Sequence, residues 1–228
     1  MKSLFAVILS LLVLVSPSPA QTVPDYDDVL KRMSDQQLIE CLRDKPATCP
    51  IPDQDRDLAW IAGTLGQRRH PDPLISAYMT ADQYQRYYLV RALSMINKPK
   101  VTEFMRSIAF ENLPEGQDND DVFFPLDYLA RHCDQRALAR LNRPVNFDKS
   151  FPMGCIYFAP TVAAFGRCNY RAAAPNLVLA LNAACVNIID AAEKGLQKFF
   201  PHACKQAHSI EELQRCYERL LEDHPNPK

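Results

Sequence analysis

The stretch Cys155–Asn182, CIYFAPTVAAFGRCNYRAAAPNLVLALN, decides the fold. Ile156, Ala159, Val162, Ala163 and Phe165 fall at helical spacing and give its first half one apolar face. Gly166-Arg167-Cys168-Asn169 punctuates the run, with Gly166 near the position that follows a helix C-terminus. Ala172, Ala173, Leu177, Leu179 and Leu181 then line a second helix. The reading is a helical hairpin. A hairpin of this size cannot bury its apolar faces alone and requires neighbours of its own kind.

Working outward, the same pattern returns. Ala62-Gly63-Thr64-Leu65-Gly66 leads into Asp72-Pro73-Leu74-Ile75. Val90-Arg91-Ala92-Leu93 leads into Asn97-Lys98-Pro99-Lys100-Val101. Leu126-Asp127-Tyr128-Leu129-Ala130 leads into Cys133-Asp134-Gln135-Arg136-Ala137-Leu138. Each time an Ala/Leu-rich helix ends in a tight turn and Asp, Asn or Pro opens the next. The turn recurs roughly every 28 to 37 residues, a solenoid period. Residues 55–182 in this way resemble the HEAT-like (armadillo-type) α-helical repeat family. The best match is Ala164–Leu177, close to that family's small-residue, Asp-Pro-Arg turn pattern. The resemblance implies an all-α fold, a short right-handed α-solenoid of helical hairpins over residues 54–223, and it leaves function open because such repeats serve unrelated proteins.

The flanks read differently. Lys2 followed by the apolar run Leu4–Val15 and the small residues Ser16-Pro17-Ser18-Pro19-Ala20 predicts an export signal over residues 1–20, too short to span a bilayer comfortably. Residues 21–53 read as an N-terminal helical cap, with a capping box at Ser34-Asp35-Gln36-Gln37. Further capping boxes are expected at Thr80-Ala81-Asp82-Gln83 and Ser209-Ile210-Glu211-Glu212, the latter opening an amphipathic helix that closes the stack. Residues 224–228 are a tail.

Composition narrows the function classes. Of 26 Lys and Arg and 27 Asp and Glu, the signal carries only Lys2, so the exported chain has a net charge of −2. That balance argues against nucleic acid, which needs a basic face. With six Gly and no G-x-G-x-x-G or Walker loop, neither a turn-rich β-barrel nor a nucleotide site is indicated. Eight Cys in an exported chain read as disulfides, with about 105 pairings open to sequence alone. The repeat register favours Cys133–Cys168 at equivalent turns and Cys155–Cys185 at one end of the stack, with Cys41–Cys49 and Cys204–Cys216 as local loops.

No catalytic signature stands out. His202-Ala203-Cys204 with His208 suggests a metal cluster, but a disulfide at Cys204 would remove the thiolate. His132 and Cys133 are neighbours on one helix and point about 100° apart, which disfavours a dyad. The acidic loop Glu115–Asp121 lacks the order of an EF-hand. The expectation is therefore no metal, no cofactor and no enzyme, but a binding protein in the periplasm or outside the cell, one version being an immunity or inhibitor protein that neutralises a toxin or hydrolase. The rival readings are an envelope hydrolase with an unrecognised site, or a binder of glycans or small ligands that stacks them on Trp60 and Tyr84, Tyr87 and Tyr88. By the HEAT-like resemblance the second helices line the concave face. Their polar residues Glu103, Arg106, Arg136, Arg140, Arg171 and Asn176 form the expected site for a protein partner, since arginine grips carboxylates bidentately.

Overall fold

The computed structural model describes residues 26–43, 46–52, 56–111, 120–143 and 154–223, without the side chains of 120–122 and 154–157. The expected export signal, the loop at residues 112–119, the connection at 144–153 and the tail lie outside the described residues. The Cys155 side chain, half of the expected Cys155–Cys185 pairing, is likewise not described.

Residues 1–33 form one unit and residues 34–228 another. The first contributes α1 (Tyr26–Arg32), where Lys31 Nζ lies 2.5 Å from Asp27 Oδ2. The second contains α2 (Asp35–Cys41), α3 (Leu58–Arg68), α4 (Pro71–Thr80), α5 (Gln83–Leu93), α6 (Pro99–Phe110), α7 (Asp120–Arg131) and α8 (Gln135–Leu141). It continues with α9 (Gly154–Arg167), a 3₁₀ turn (Arg171–Ala173), α10 (Ala174–Ala180), α11 (Val186–Phe199) and α12 (Ile210–Asp223). The fold is all-helical; among the described residues there is no strand.

Local chemistry explains the boundaries. The Ser34–Gln37 capping box is present in both directions, Gln37 N donating to Ser34 Oγ (3.2 Å) and Ser34 N to Gln37 Oε1 (2.8 Å). Asp57 caps α3 and Asp134 caps α8. The expected box at Thr80 is displaced: Thr80 ends α4, its hydroxyl donating to Ala77 O, and Asp82 is the N-cap of α5, accepting from Gln85 N at 2.7 Å. At α12, Ser209 accepts from Glu212 N, while the Glu212 carboxylate reaches back to His208 N. Helices α3, α7 and α9 each stop at a left-handed residue: Arg69 (φ 58°), Cys133 (φ 61°) and Asn169 (φ 53°). Their last carbonyls are met by cations from further along the chain. Lys98 Nζ donates to Arg69 O (3.0 Å), Arg167 Nη2 to Arg131 O (2.6 Å) and Lys198 Nζ to Arg167 O (2.9 Å).

Packing is local in sequence. α3, α5, α7, α9 and α11 form one row in which each packs on the next. α4 lies on α2, α5 and α6; α6 and α8 lie on α7; α10 lies on α11 and α12. Every extensive contact joins helices no more than two apart in chain order. Leu65, Leu89, Leu93, Leu129, Val162, Phe165 and Leu196 fill the core of the row.

The expected hairpin of Cys155–Asn182 is not closed on itself. After the 3₁₀ turn, α10 leaves α9 and both pack on α11. The reason is a glycine pair. A Cβ on Gly166 would sit 2.7 Å from Gly195 Cα, and one on Gly195 would sit 2.9 Å from Leu177 Cδ1 of α10. Only hydrogen on both carbons lets α9 and α11 approach backbone to backbone.

Three disulfides join described residues: Cys41–Cys49, Cys133–Cys168 and Cys204–Cys216. Cys133–Cys168 spans 35 residues and ties the turn after α7 to the turn after α9. No described helix is long and apolar enough to cross a membrane.

Candidate binding surface

α5 places Tyr84, Tyr87 and Tyr88 on one face, at the three- and four-residue spacing that makes helix neighbours. Its opposite face is anchored by Leu89, Val90, Ala92 and Leu93, and by buried Gln85, whose Nε2 donates to Ile39 O at 2.8 Å. The tyrosines therefore cannot turn inward. α7 brings Phe123 and Phe124 to the same level, and α9 brings Phe158.

The rings meet in an unbroken series. Centroid distances run 5.4 Å for Tyr84–Tyr88, 4.9 Å for Tyr87–Tyr88, 5.1 Å for Tyr87–Phe124, 5.7 Å for Phe123–Phe124 and 5.2 Å for Phe123–Phe158. The first four are edge-to-face, the geometry the ring quadrupole favours, each contributing about 0.5–1.5 kcal/mol beyond area burial. Tyr84 is 43% exposed and the other five rings are half-buried. The result is an aromatic ridge across the N-terminal ends of three helices. Burial, and then the neighbouring Tyr84, push the Tyr88 hydroxyl above its ordinary value, so it stays an uncharged donor at neutral pH.

The residues expected to form the site are placed differently. Arg106 Nε reaches Asp134 Oδ2 (3.0 Å), the N-cap of α8. The Arg136 guanidinium lies 4.2 Å over the Phe110 ring, and Arg140 Nη1 donates to Ala109 O (2.8 Å). All three connect α6 to α8. Asn176 is buried, its Nδ2 donating to Asn142 Oδ1 at 2.7 Å. Glu103 is exposed on α6, and Arg171 is half-exposed on the 3₁₀ turn. The set is spread over α6, α8, the 3₁₀ turn and α10, and Arg106, Arg136, Arg140 and Asn176 hold neighbouring elements together.

Periodicity alone does not single out the Phe members of the ridge. A signal was there: Phe124-Pro125 in α7 and Phe158-Ala159-Pro160 in α9 each set an aromatic just before an in-helix proline, early in the helix. Between α11 and α12 a shallow cleft of about 700 Å³ is lined by Glu193, His202, Lys205, His208 and Tyr217. Cys204 there is in its disulfide, and no group of metal ligands assembles among the described residues. His132 Nδ1 lies 2.8 Å from Tyr128 O, and Cys133 is bridged, so the two form no dyad.

No protein-family model, curated protein or solved structure matches this chain.

Proposed function

We propose that this chain is an exported, non-enzymatic scaffold, a short right-handed solenoid of HEAT-like hairpins, that binds another protein through its aromatic ridge. The ridge carries the reading. Six adjoining rings, three of them tyrosines with a polar hydroxyl, held partly exposed on helices, are low-entropy aromatic anchors of the kind enriched at protein interfaces. The solenoid reading is supported by helix packing whose extensive contacts join helices no more than two apart in chain order. Three disulfides fit an oxidising compartment, periplasmic or extracellular.

The test is affinity purification of the tagged, exported protein beside two variants, Tyr87→Ala with Phe124→Ala, and Arg106→Ala. One stoichiometric protein partner is expected, weakened about tenfold or more by the ridge variant and unaffected by Arg106→Ala. Equal recovery by all three would sink the ridge as the contact. If the partner is a hydrolase or toxin whose activity falls when this chain is added, the role is inhibition, as an immunity protein would act. The glycan-binding alternative has one observation in its favour, the exposure of Trp60 (41%) and Tyr84 (43%). It requires a Trp60 fluorescence change with soluble peptidoglycan fragments and no protein partner.

A further inference from the structure

Beneath the ridge, the seam between α7 and α9 carries a buried carboxylate. Asp127 lies four residues after Phe123 and three after Phe124, so it sits one helical turn below those rings. Thr161 lies three residues after Phe158, one turn below that ring on α9. Thr161 is fully buried, and its Oγ1 donates to Asp127 Oδ1 at 2.7 Å. Arg131 Nε, one turn further along α7, lies 3.0 Å from Asp127 Oδ2, and Arg167 of α9 donates to the Arg131 carbonyl. Asp127 is only 6% exposed.

A buried ion pair of this kind adds little net stability, because desolvation offsets the attraction. What it supplies is direction. The Cys133–Cys168 bridge already ties the C-terminal ends of α7 and α9, so what remains to be set is how their N-terminal halves meet beneath the rings. A 2.7 Å bond from a buried hydroxyl to a buried carboxylate is satisfied at one axial offset only.

We propose that Asp127 is a positioning residue: with the C-terminal ends of α7 and α9 tied by Cys133–Cys168, its bond to Thr161 fixes the register of their N-terminal halves and so holds Phe123 against Phe158, joining the α9 end of the ridge to the rest. The functional weight of this device rests on the ridge being the binding surface, but the register itself is measurable without a partner.

The experiment uses the full exported chain with ¹³C-labelled phenylalanine and tyrosine. Thr161→Val keeps the volume and removes the donor; Asp127→Asn keeps an acceptor for Thr161 and removes the charge; Asp127→Ala removes both. Helical circular dichroism confirms folding, and ring-to-ring nuclear Overhauser effects report the ridge. Thr161→Val is expected to lose the Phe123–Phe158 cross-peak and keep Tyr84–Tyr88, whereas Asp127→Asn is expected to keep both. A purely structural role would lower the melting temperature and leave the Phe123–Phe158 cross-peak in place, and that result in Thr161→Val overturns the proposal. Should Asp127→Ala fail to fold, the Val and Asn variants decide. Capture of the partner by the same variants separates the two claims. A lost cross-peak with undiminished capture upholds the positioning role and removes the ridge as the contact. A retained cross-peak with lost capture does the reverse.

Discussion

The row α3–α5–α7–α9–α11 and the helices α4, α6 and α8 outside it are held by different forces. In the row, neighbours meet through glycine, buried aliphatics and rings, and at Gly166 and Gly195 no side chain stands between the backbones. Outside it, neighbours meet largely through long charged side chains: Lys100 bonds Asp72 between α6 and α4, and Arg106 reaches Asp134 between α6 and α8. The rings Tyr78 and Phe104 (5.2 Å) add an apolar contact there. The difference teaches how to read an arginine between stacked helices. Where helices stand too far apart for small side chains to touch, a guanidinium spans the gap and acts as a strut.

The sharpest way to break this contrast is at Gly166. Gly166→Ala drives a methyl to 2.7 Å from the Gly195 backbone, which cannot rotate away, so α9 and α11 must separate. The expected loss is about 3 kcal/mol, at the upper end of the usual cost of overpacking. Gly63→Ala in α3 is the control: nothing lies within 4 Å of its added methyl, and removing glycine from a helix interior should stabilise by about 0.5–1 kcal/mol. Denaturant midpoints measure both. Similar effects of the two substitutions would mean that the row is not built on close approach.

A loss at least as large is expected at the Cys133–Cys168 bridge, which pins the row at two of its turns. Replacing both cysteines with serine frees a 35-residue loop, a loss of about 4 kcal/mol in the unfolded-chain entropy model and less if the reduced chain keeps structure. The same change at Cys204 and Cys216, across 12 residues, should cost about 3 kcal/mol. A reversed order would show that the C-terminal loop, not the row, depends most on its staple.

Much of this was legible in sequence and some was not, for physical reasons. The 3.6-residue period of Ile156–Phe165 and the stops at Gly166–Asn169 are local signals, and α9 with its left-handed Asn169 follows them. The equivalence of Cys133 and Cys168 follows from counting turns. What periodicity cannot give is the distance between helices. Gly166 reads as helix punctuation, yet its use is contact with Gly195, 29 positions away in sequence. Asn176 looks like a polar helix position but is buried against Asn142. In sequence the tyrosines of α5 read as core and inter-repeat packing in preference to a binding ladder, and only α7 and α9 fix how deep they lie, leaving Tyr84 exposed and Tyr87 and Tyr88 half-buried. At Thr80 and Asp82 two good caps compete, and Ala81, buried and extended between them, gives the start of α5 to Asp82.

A pH series sharpens the contrast between buried and peripheral charge. Burial pushes Asp127 above its ordinary value, against the pull of Arg131, Thr161 and Arg167. The folded state therefore holds this proton longer than the unfolded chain does. Stability contributed by the protonated form is lost as pH climbs from the ordinary carboxylate value through the raised folded value, then levels. Asp35 has the opposite sign. Burial raises it, but Arg68 at 2.8 Å and His70 at 2.9 Å more than compensate and hold it below the ordinary value. Its contribution is present above the ordinary value and lost as pH falls through the lowered folded one. Asp127→Asn should remove the first slope and Asp35→Asn the second, each read from denaturant midpoints across the acidic range. An unchanged profile in Asp127→Asn would mean that solvent reaches the α7–α9 seam.

The smallest effects belong to the struts. Asp134→Ala removes a cap that accepts from Arg136 N (3.1 Å) and Ala137 N (3.2 Å), and should cost about 1 kcal/mol. Arg106→Ala removes only the ion pair, whose arginine is 53% exposed, and should cost between about 0 and 1 kcal/mol, less still in high salt. If the arginines are struts, the double variant costs little more than Asp134→Ala alone, because the pair has one shared interaction to lose, and partner capture is unchanged throughout. If instead Arg106→Ala abolishes capture while leaving the denaturant midpoint in place, the guanidinium is reserved for a partner's carboxylate. The α4–α6–α8 side is then the binding face, and the ridge of Tyr84, Tyr87, Tyr88, Phe123, Phe124 and Phe158 is packing that the helices could not fully cover.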